Sequence, residues 1–322
     1  MNHKTNNSAL LNFVTWLQVV ACLVTLTATQ SVVADIQITD SHGKYHFAAP
    51  PKRVVALNWT LAEQMLELDE TPLGMADIRG FRKHSTKPIV PETVVDVGER
   101  LSPNLTAIRT LKPDIILIGY SQRSLLRPLS NIATVIYFKN FGNRYNNAEK
   151  SRERFLEMAK LFDKTDTANN KLKAADARIE AMRLELVEAF SNGTLPTLQI
   201  TIPQTDVETK KGKSVWVFGK NSLPFSAAKQ LGLEVISPDE TSQFGTAQVG
   251  IDDLKALSPN KDNALCNVYL SSYQAVNSSD DMTKPDLTGC SFELSYQNAF
   301  GGAMSVLYLA EAIYDALIST QR

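Results

Sequence analysis

The sequence predicts an α/β protein of two lobes joined by a single long helix, with a ligand cleft between the lobes. Three observations predict it. Short apolar runs of strand length alternate with segments of helical period in both halves of the chain, the pattern of a mainly parallel sheet covered on both faces. From Asn146 to Phe190 the composition changes to helix formers rich in Ala, Glu, Lys and Arg, with no Pro or Gly. A weak internal echo also relates Leu105–Ile118 (helix, Leu-Lys-Pro-Asp, strand) to Ile251–Val268, where Asp-Asp-Leu-Lys-Ala-Leu-Ser-Pro precedes Ala-Leu-Cys-Asn-Val.

Residues 1–34 read as an address. Lys4 is their one formal charge, an apolar run extends from Leu10 to Thr27, and Ser31-Val-Val-Ala34 forms a small-residue cleavage site. Cleavage after Ala34 is expected. The alternative is a lipid anchor at Cys22, because Val19-Val-Ala-Cys22 resembles the box before a lipidated cysteine. Both readings carry the chain out of the cytoplasm.

The elements then follow in order. Asp35-Ile-Gln-Ile-Thr-Asp40 alternates apolar and polar residues, turns through Ser41–Lys44 and resumes at Tyr45, as a β-hairpin does. Val54-Val-Ala-Leu57 is a continuous apolar run typical of a strand buried on both faces. Thr60 with Glu63 three residues later predicts a capping box for a helix whose stripe is Leu61, Met65, Leu66 and Leu68. Pro72–Ala76 reads as a strand, Asn104–Leu111 as a helix stopped before Pro113, and Ile115–Ile118 as another buried strand. Asp163–Thr167 breaks the helix-forming stretch, leaving a second helix from Thr167 to Phe190, about 36 Å long at 1.5 Å per residue. Asn192-Gly193 ends it, and strands are expected at Thr197–Ile202 and Val215–Gly219.

Composition narrows the function. The formal charge of −1, which becomes −2 without residues 1–34, gives no basic face for nucleic acid. No His-Glu-x-x-His helix, Gly-x-Ser-x-Gly elbow or Walker loop is present, so no catalytic set supports an enzyme. With His42 and His46 in the hairpin, only His84 falls near the expected cleft, too little for a bare metal-ion receptor. Cys266 and Cys290 are a disulfide candidate in an oxidising compartment, two separate thiols being the alternative.

The polar residues that remain cluster after predicted strands, where open α/β sheets bind ligands. Arg79, Arg82, Lys83 and His84 follow the Pro72–Ala76 strand, Arg100 follows Val94–Glu99, and Tyr120 and Arg123 follow Ile115–Ile118. An arginine fork suits anionic or polarised oxygens, and aromatic faces suit a carbon skeleton.

Three segments then carry a resemblance: Arg53-Val-Val-Ala-Leu57; Asp96-Val-Gly-Glu-Arg100 with Pro103-Asn-Leu105 and Leu111-Lys-Pro113; and Val217-Phe-Gly-Lys-Asn-Ser-Leu223. Through these, from Pro51 to Ala316, the chain resembles the periplasmic binding proteins for ferric siderophores. The resemblance implies two Rossmann-like lobes joined by one long helix, with a shallow cleft between them. It places Arg100 and Tyr120 against the iron-chelating oxygens, with Arg82 or His84 assisting. His84, Phe244 and, in the second lobe, Asn298 stand where the hydroxamate-binding members carry aromatic cover, so a more polar or charged ligand is expected. Glu63 matches the acidic residue by which the first lobe docks on the importer, whereas Ser226–Lys229 offers no acid in the second.

The expected organisation is a signal peptide at 1–34, an N-terminal lobe at 35–164, an inter-lobe helix at 165–191 and a C-terminal lobe at 192–322. The expected function is non-enzymatic capture of a ferric siderophore, of hydroxamate or mixed/carboxylate type, in the periplasm. A monomer would hand it to the membrane permease of an ABC importer, with no cofactor and with the iron held by the chelator. A receptor of the same fold for haem or cobalamin is the alternative.

Overall fold

A computed structural model describes residues 35–85, 87–142, 146–190, 194–202, 208–209, 212–256, 265–271, 290–295 and 299–321, in which two sheets each carry their own core. The expectations for residues 1–34, the lipid-anchor cysteine Cys22 included, the turn at Asn192-Gly193 and the role of Asn298 lie outside these residues.

The expected hairpin opens the fold as β1 (Ile36–Thr39) and β2 (Lys44–Phe47). Asp40 closes its turn, Oδ1 accepting from the amides of His42 and Gly43 at 2.6 and 2.9 Å. The first lobe then alternates strand and helix: β3 (Val54–Ala56), α1 (Trp59–Glu67), β4 (Gly74–Met75), α2 (Ile78–His84), β5 (Val95–Asp96), α3 (Leu105–Thr110), β6 (Ile115–Ile118), α4 (Leu126–Ser130) and β7 (Thr134–Tyr137). The strands pair in parallel in the order β5-β4-β3-β6-β7. Successive strand residues face opposite sides, so Val54, Ala56, Ile115 and Leu117 enter one core while Val55, Leu57, Ile116 and Ile118 enter another. Two buried faces explain why these runs are continuously apolar.

One cap differs from expectation. Asn58, not Thr60, caps α1, its Oδ1 accepting from Leu61 N at 3.4 Å. Thr60 and Glu63 form no capping box because both side chains are engaged with the other lobe.

Helices α5 (Asn147–Leu161) and α6 (Thr165–Ala189) lead across to the second lobe. At 1.5 Å per residue α6 is about 37 Å long. It buries Ala168 and Leu172 in a first-lobe core and Ile179, Met182 and Leu186 in the second-lobe core, so one apolar stripe serves both. The second lobe comprises β8 (Thr197–Ile202), β9 (Glu208–Thr209), β10 (Gly212–Phe218), α7 (Leu223–Gln230), β11 (Glu234–Val235), β12 (Thr246–Gly250), α8 (Ile251–Ala256), β13 (Leu265–Ser271), β14 (Cys290–Ser295) and α9 (Ser305–Ser319). Its sheet is mixed rather than mainly parallel. β11, β8, β13 and β14 run parallel, but β10 is antiparallel to β8 and β12 to β10. Few residues separate β8 from β10, too few for the helical crossover that a parallel pair requires.

In β13 and β14 Cys266 lies directly opposite Cys290, with Cα atoms 4.5 Å apart, and the two are joined as a disulfide.

The lobes interlock. Phe141 and Ala148, from the first half of the chain, lie in the second-lobe core, and Ala303 lies in a first-lobe core. A polar clasp secures the joint. Thr60, Glu63 and Glu67, on one face of α1, all reach the segment that enters α9. Thr60 Oγ1 donates to Phe300 O at 2.9 Å, and Tyr308 donates its hydroxyl to Glu67. Glu63 Oε1 accepts from Gly302 N at 2.9 Å and Ser305 Oγ at 2.7 Å, placing a carboxylate at the positive end of α9. Burial first, and then the bond to Glu67, raise the pKa of Tyr308, keeping its hydroxyl a donor. Residue 302 must be glycine, because a Cβ there would stand 2.5 Å from Gln64 Cγ.

The clasp corrects the expectation for Glu63. Its exposure is 0%, so it presents no carboxylate to an importer; a residue that matches a docking acid in sequence serves here inside the molecule.

Two predictions follow from these contacts. Glu63→Ala strands Gly302 N and Ser305 Oγ, and should cost about 1.5–3 kcal/mol in urea unfolding of the ligand-free protein; an unchanged midpoint would show that the clasp contributes nothing. Cys290→Ser should cost up to about 3.5 kcal/mol for a closed loop of this length. Equal stability with and without reductant would mean that the thiols do not pair in solution.

Candidate ligand-binding cleft

Between the lobes lies a cavity of about 570 Å³, within the range usual for small-molecule sites. Its first wall is built on the carboxyl ends of the parallel strands. Asn58, Trp59 and Thr60 follow β3, Tyr120 and Ser121 follow β6, and Asn140 and Phe141 follow β7; His84 ends α2 and Arg100 lies beyond β5. β3 and β6 are neighbours whose chains depart to opposite sides, which opens a crevice at their ends.

The loop bearing Arg100 is held at several points. Asp96 Oδ1 accepts from Gly98 N at 2.9 Å and its Oδ2 from Ile78 N at 3.0 Å. Asp77 N donates to Gly98 O at 2.8 Å, and Asn104 N to Val97 O at 2.8 Å. Gly98 has φ +89°, a conformation that few other residues adopt at low cost. Asn104 then caps α3, accepting from Thr106 N and Ala107 N. The run from Asp96 to Asn104 is thus a device for presenting Arg100.

Arg100 is also fixed at its head. The guanidinium lies 3.7 Å from the centre of the Trp59 ring, and Nε stands 3.7 Å from Asp77 Oδ2. Trp59 is itself immobilised, donating from Nε1 to Ala76 O at 3.0 Å with the edge of Phe81 packed on it. His84 packs on the same ring at 5.7 Å, and its Nδ1 is 2.8 Å from Gly80 O. Tyr120 stands half-exposed with Arg123 and Lys139 5.5 and 5.9 Å from its ring, so cations border the mouth. Among the described residues, no Asp or Glu lines the cavity.

The opposite wall comes from Ile202, Trp216, Phe244, Thr246 and Phe300. Phe244 lies 5.7 Å from Phe141 and 6.2 Å from Phe300, and Phe300 lies 5.7 Å from Phe218. The turn carrying Phe244 is tied to both lobes. Asn221 Nδ2 donates to Ser242 O and to Gly142 O, each at 3.2 Å, while Asn147 Nδ2 donates to Gln243 O at 3.0 Å. That is the structural role of Asn221 within the Val217–Leu223 segment.

Of the residues singled out in the sequence, Arg100, Tyr120, His84 and Phe244 meet in one cleft. Arg82 does not join them. Its guanidinium donates to Val90 O at 3.0 Å and pairs with Glu92 at 2.8 Å, over a separate groove lined by Arg79, Lys83 and Asp96. It sits two residues before His84, about 200° round the helix, and so faces away. The expectation of sparse aromatic cover also fails, since Trp59, Phe141, Trp216 and Phe300 line the cleft besides Tyr120 and Phe244. Trp59 and Phe141 follow strands, the same signal that marks Tyr120. Trp216 lies inside β10, and Phe300 belongs to no strand, so neither carried that signal.

Among the described residues no group of three or more His, Cys, Asp or Glu could hold a metal ion, and no helix is long and apolar enough to cross a membrane.

Comparison with known proteins agrees with this architecture. The Escherichia coli K12 iron(3+)-hydroxamate-binding protein FhuD is 30% identical over 209 residues, covering 65% of this chain and 67% of that protein. The E. coli Fe(3+) dicitrate-binding periplasmic protein FecB is 24% identical over 206 residues, covering 55% and 65%. Among solved structures, the siderophore-binding protein FhuD from Vibrio cholerae, bound to Fe³⁺-Desferal, superposes with a TM-score of 0.72 at 32% identity, covering 83% of this chain and 98% of that one. Residues 54–260 match the family of periplasmic binding proteins, and with the two-lobed fold and the cleft between its sheets the chain belongs to that family.

Proposed function

We propose that this protein captures a ferric siderophore in the periplasm and delivers it to the membrane permease of an ABC importer. One observation carries the reading. A guanidinium lying over a fixed indole shares with a half-exposed tyrosine a cleft that has aromatic walls and, among the described residues, no carboxylate in its lining. Such a site attracts a cluster of anionic oxygens around a metal and covers the organic skeleton that supplies them. The relatives named for iron(3+)-hydroxamate and Fe(3+) dicitrate binding, and the neighbour bound to Fe³⁺-Desferal, support the same reading.

The mechanism is reversible capture. Arg100 and the Tyr120 hydroxyl would donate to the chelating oxygens, while Trp59, Phe244 and Phe300 pack on the chelator. Arg123 and Lys139, bordering the mouth, would speed the approach of an anionic complex. The clasped lobes offer a preformed site, which lowers the ordering cost of binding. The iron remains with its chelator. Export would follow cleavage after Ala34, or lipid attachment at Cys22 would hold the protein at the membrane surface.

The tryptophans of the sequence are Trp16, Trp59 and Trp216, and the latter two line the cleft. Their fluorescence in the mature protein should therefore be quenched by any ferric ligand that enters. Titration with ferric hydroxamates, catecholates and carboxylates, and with haem and cobalamin, should give saturable quenching by at least one siderophore; a response to haem or cobalamin alone would overturn the reading. Arg100→Ala removes a charge-assisted bond and should raise Kd about 10- to 150-fold, against about 2- to 10-fold for Tyr120→Phe. Unchanged affinity in Arg100→Ala would remove Arg100 from the site.

A further inference from the structure

A chain of side-chain amides runs beneath the first wall of the cleft, and its polarity is dictated by backbone groups at one end. Gln122, 1% exposed, must accept at Oε1 because Gly119 N donates to it at 3.2 Å, and must donate at Nε2 because Arg100 O accepts at 3.3 Å. Asn58 is then fixed. Its Nδ2 donates to Gln122 Oε1 at 3.3 Å, so its Oδ1, which also accepts from Leu61 N, faces Asn140. Asn140 can answer only with a donor, and its Nδ2 lies 3.0 Å from that oxygen. The orientation of the last amide therefore follows from two backbone groups, and the end it leaves over is Asn140 Oδ1.

That oxygen is buried and, among the described residues, has no hydrogen-bond partner, on a residue that is 3% exposed and lines the cleft. An unpaired buried acceptor is costly, and the cost is recovered when a donor arrives. Arg100 and Tyr120 donate toward the ligand; Asn140 asks the ligand to donate.

We infer that Asn140 is a specificity-determining residue that selects chelates carrying an amide or ammonium N–H near the iron-bound oxygens, against chelates that present acceptors alone. The inference rests on the siderophore reading above. The relay that orients Asn140 also ends on the backbone carbonyl of Arg100, so a single network sets the site's donor and its acceptor.

The test compares two probes: ferric desferrioxamine B, and an analogue methylated at both amide nitrogens and trimethylated at the terminal amine, which keeps its charge but lacks every N–H. The wild-type protein should bind the N–H form about tenfold more tightly or better. Asn140→Leu should abolish that preference by weakening only the N–H form; it removes the unpaired acceptor together with the donor to Asn58, two changes of opposite sign, so the ligand-free protein should stay folded with a Tm near the parent's. Equal wild-type affinity for the two chelates overturns the inference without any variant, and leaves the siderophore reading standing. A preference retained in Asn140→Leu, or an equal loss for both chelates, also overturns it. Failure to bind ferric desferrioxamine B overturns it as well, and the wider fluorescence panel then shows whether the siderophore reading falls with it.

Discussion

The buried carboxylate of Glu63 is the constraint on which the rest of the structure depends. A carboxyl group removed from water is tolerated only when it is hydrogen-bonded, and here Gly302 N and Ser305 Oγ both donate to its Oε1. Those partners belong to the other lobe. Satisfying the buried group therefore means holding α1 against the start of α9. Phe300, two residues before Gly302, is fixed by the same joint through the bond from Thr60 to its carbonyl. The aromatic wall thus stands at a set distance from Trp59, which begins the helix that carries Glu63.

Around that joint the lobes exchange core residues, and α6 contributes to both cores along one stripe. Sliding one lobe on the other would expose these apolar groups as well as break the clasp. A cleft so held exists before its ligand arrives. Its geometry is set by backbone contacts: Asp96, Gly98 and Asn104 shape the loop of Arg100, while Asn147 and Asn221 pin the turn of Phe244. The short motifs that carry the family resemblance are largely these scaffolding residues, with Arg100 as the group they present.

The chemistry of the site divides between its walls. Cations and hydrogen-bonding groups lie on the first lobe, at the ends of parallel strands, and aromatic rings dominate the second. The Arg100 guanidinium lies over Trp59, and the bond from Trp59 to Ala76 O and its packing on Phe81 hold the pair in place. The amide relay from Gln122 to Asn140 adds an acceptor among donors. On the proposed reading, a site with both would read the pattern of hydrogen-bonding groups on a chelator as well as its charge.

By itself the sequence determined the hairpin, β3, α1, β4, α3 and β6 of the first lobe, because continuous apolar strands, helix caps such as Asn104 and helix-breaking prolines act over a few residues. It determined the long helix through composition, and it placed Arg100 and Tyr120 among the polar residues after strands, from which the family resemblance singled them out. Only the tertiary structure decided which way the side chains turn and what lies opposite them. Glu63 looks like a surface acid on an amphipathic helix until the segment beginning α9, more than two hundred residues away, covers it. Arg82 and His84 are neighbours in sequence, yet a helix sends them to different grooves. Trp216, Phe300 and Asn140 acquire meaning from partners brought close by packing, and no local pattern encodes a contact whose other half is distant along the chain.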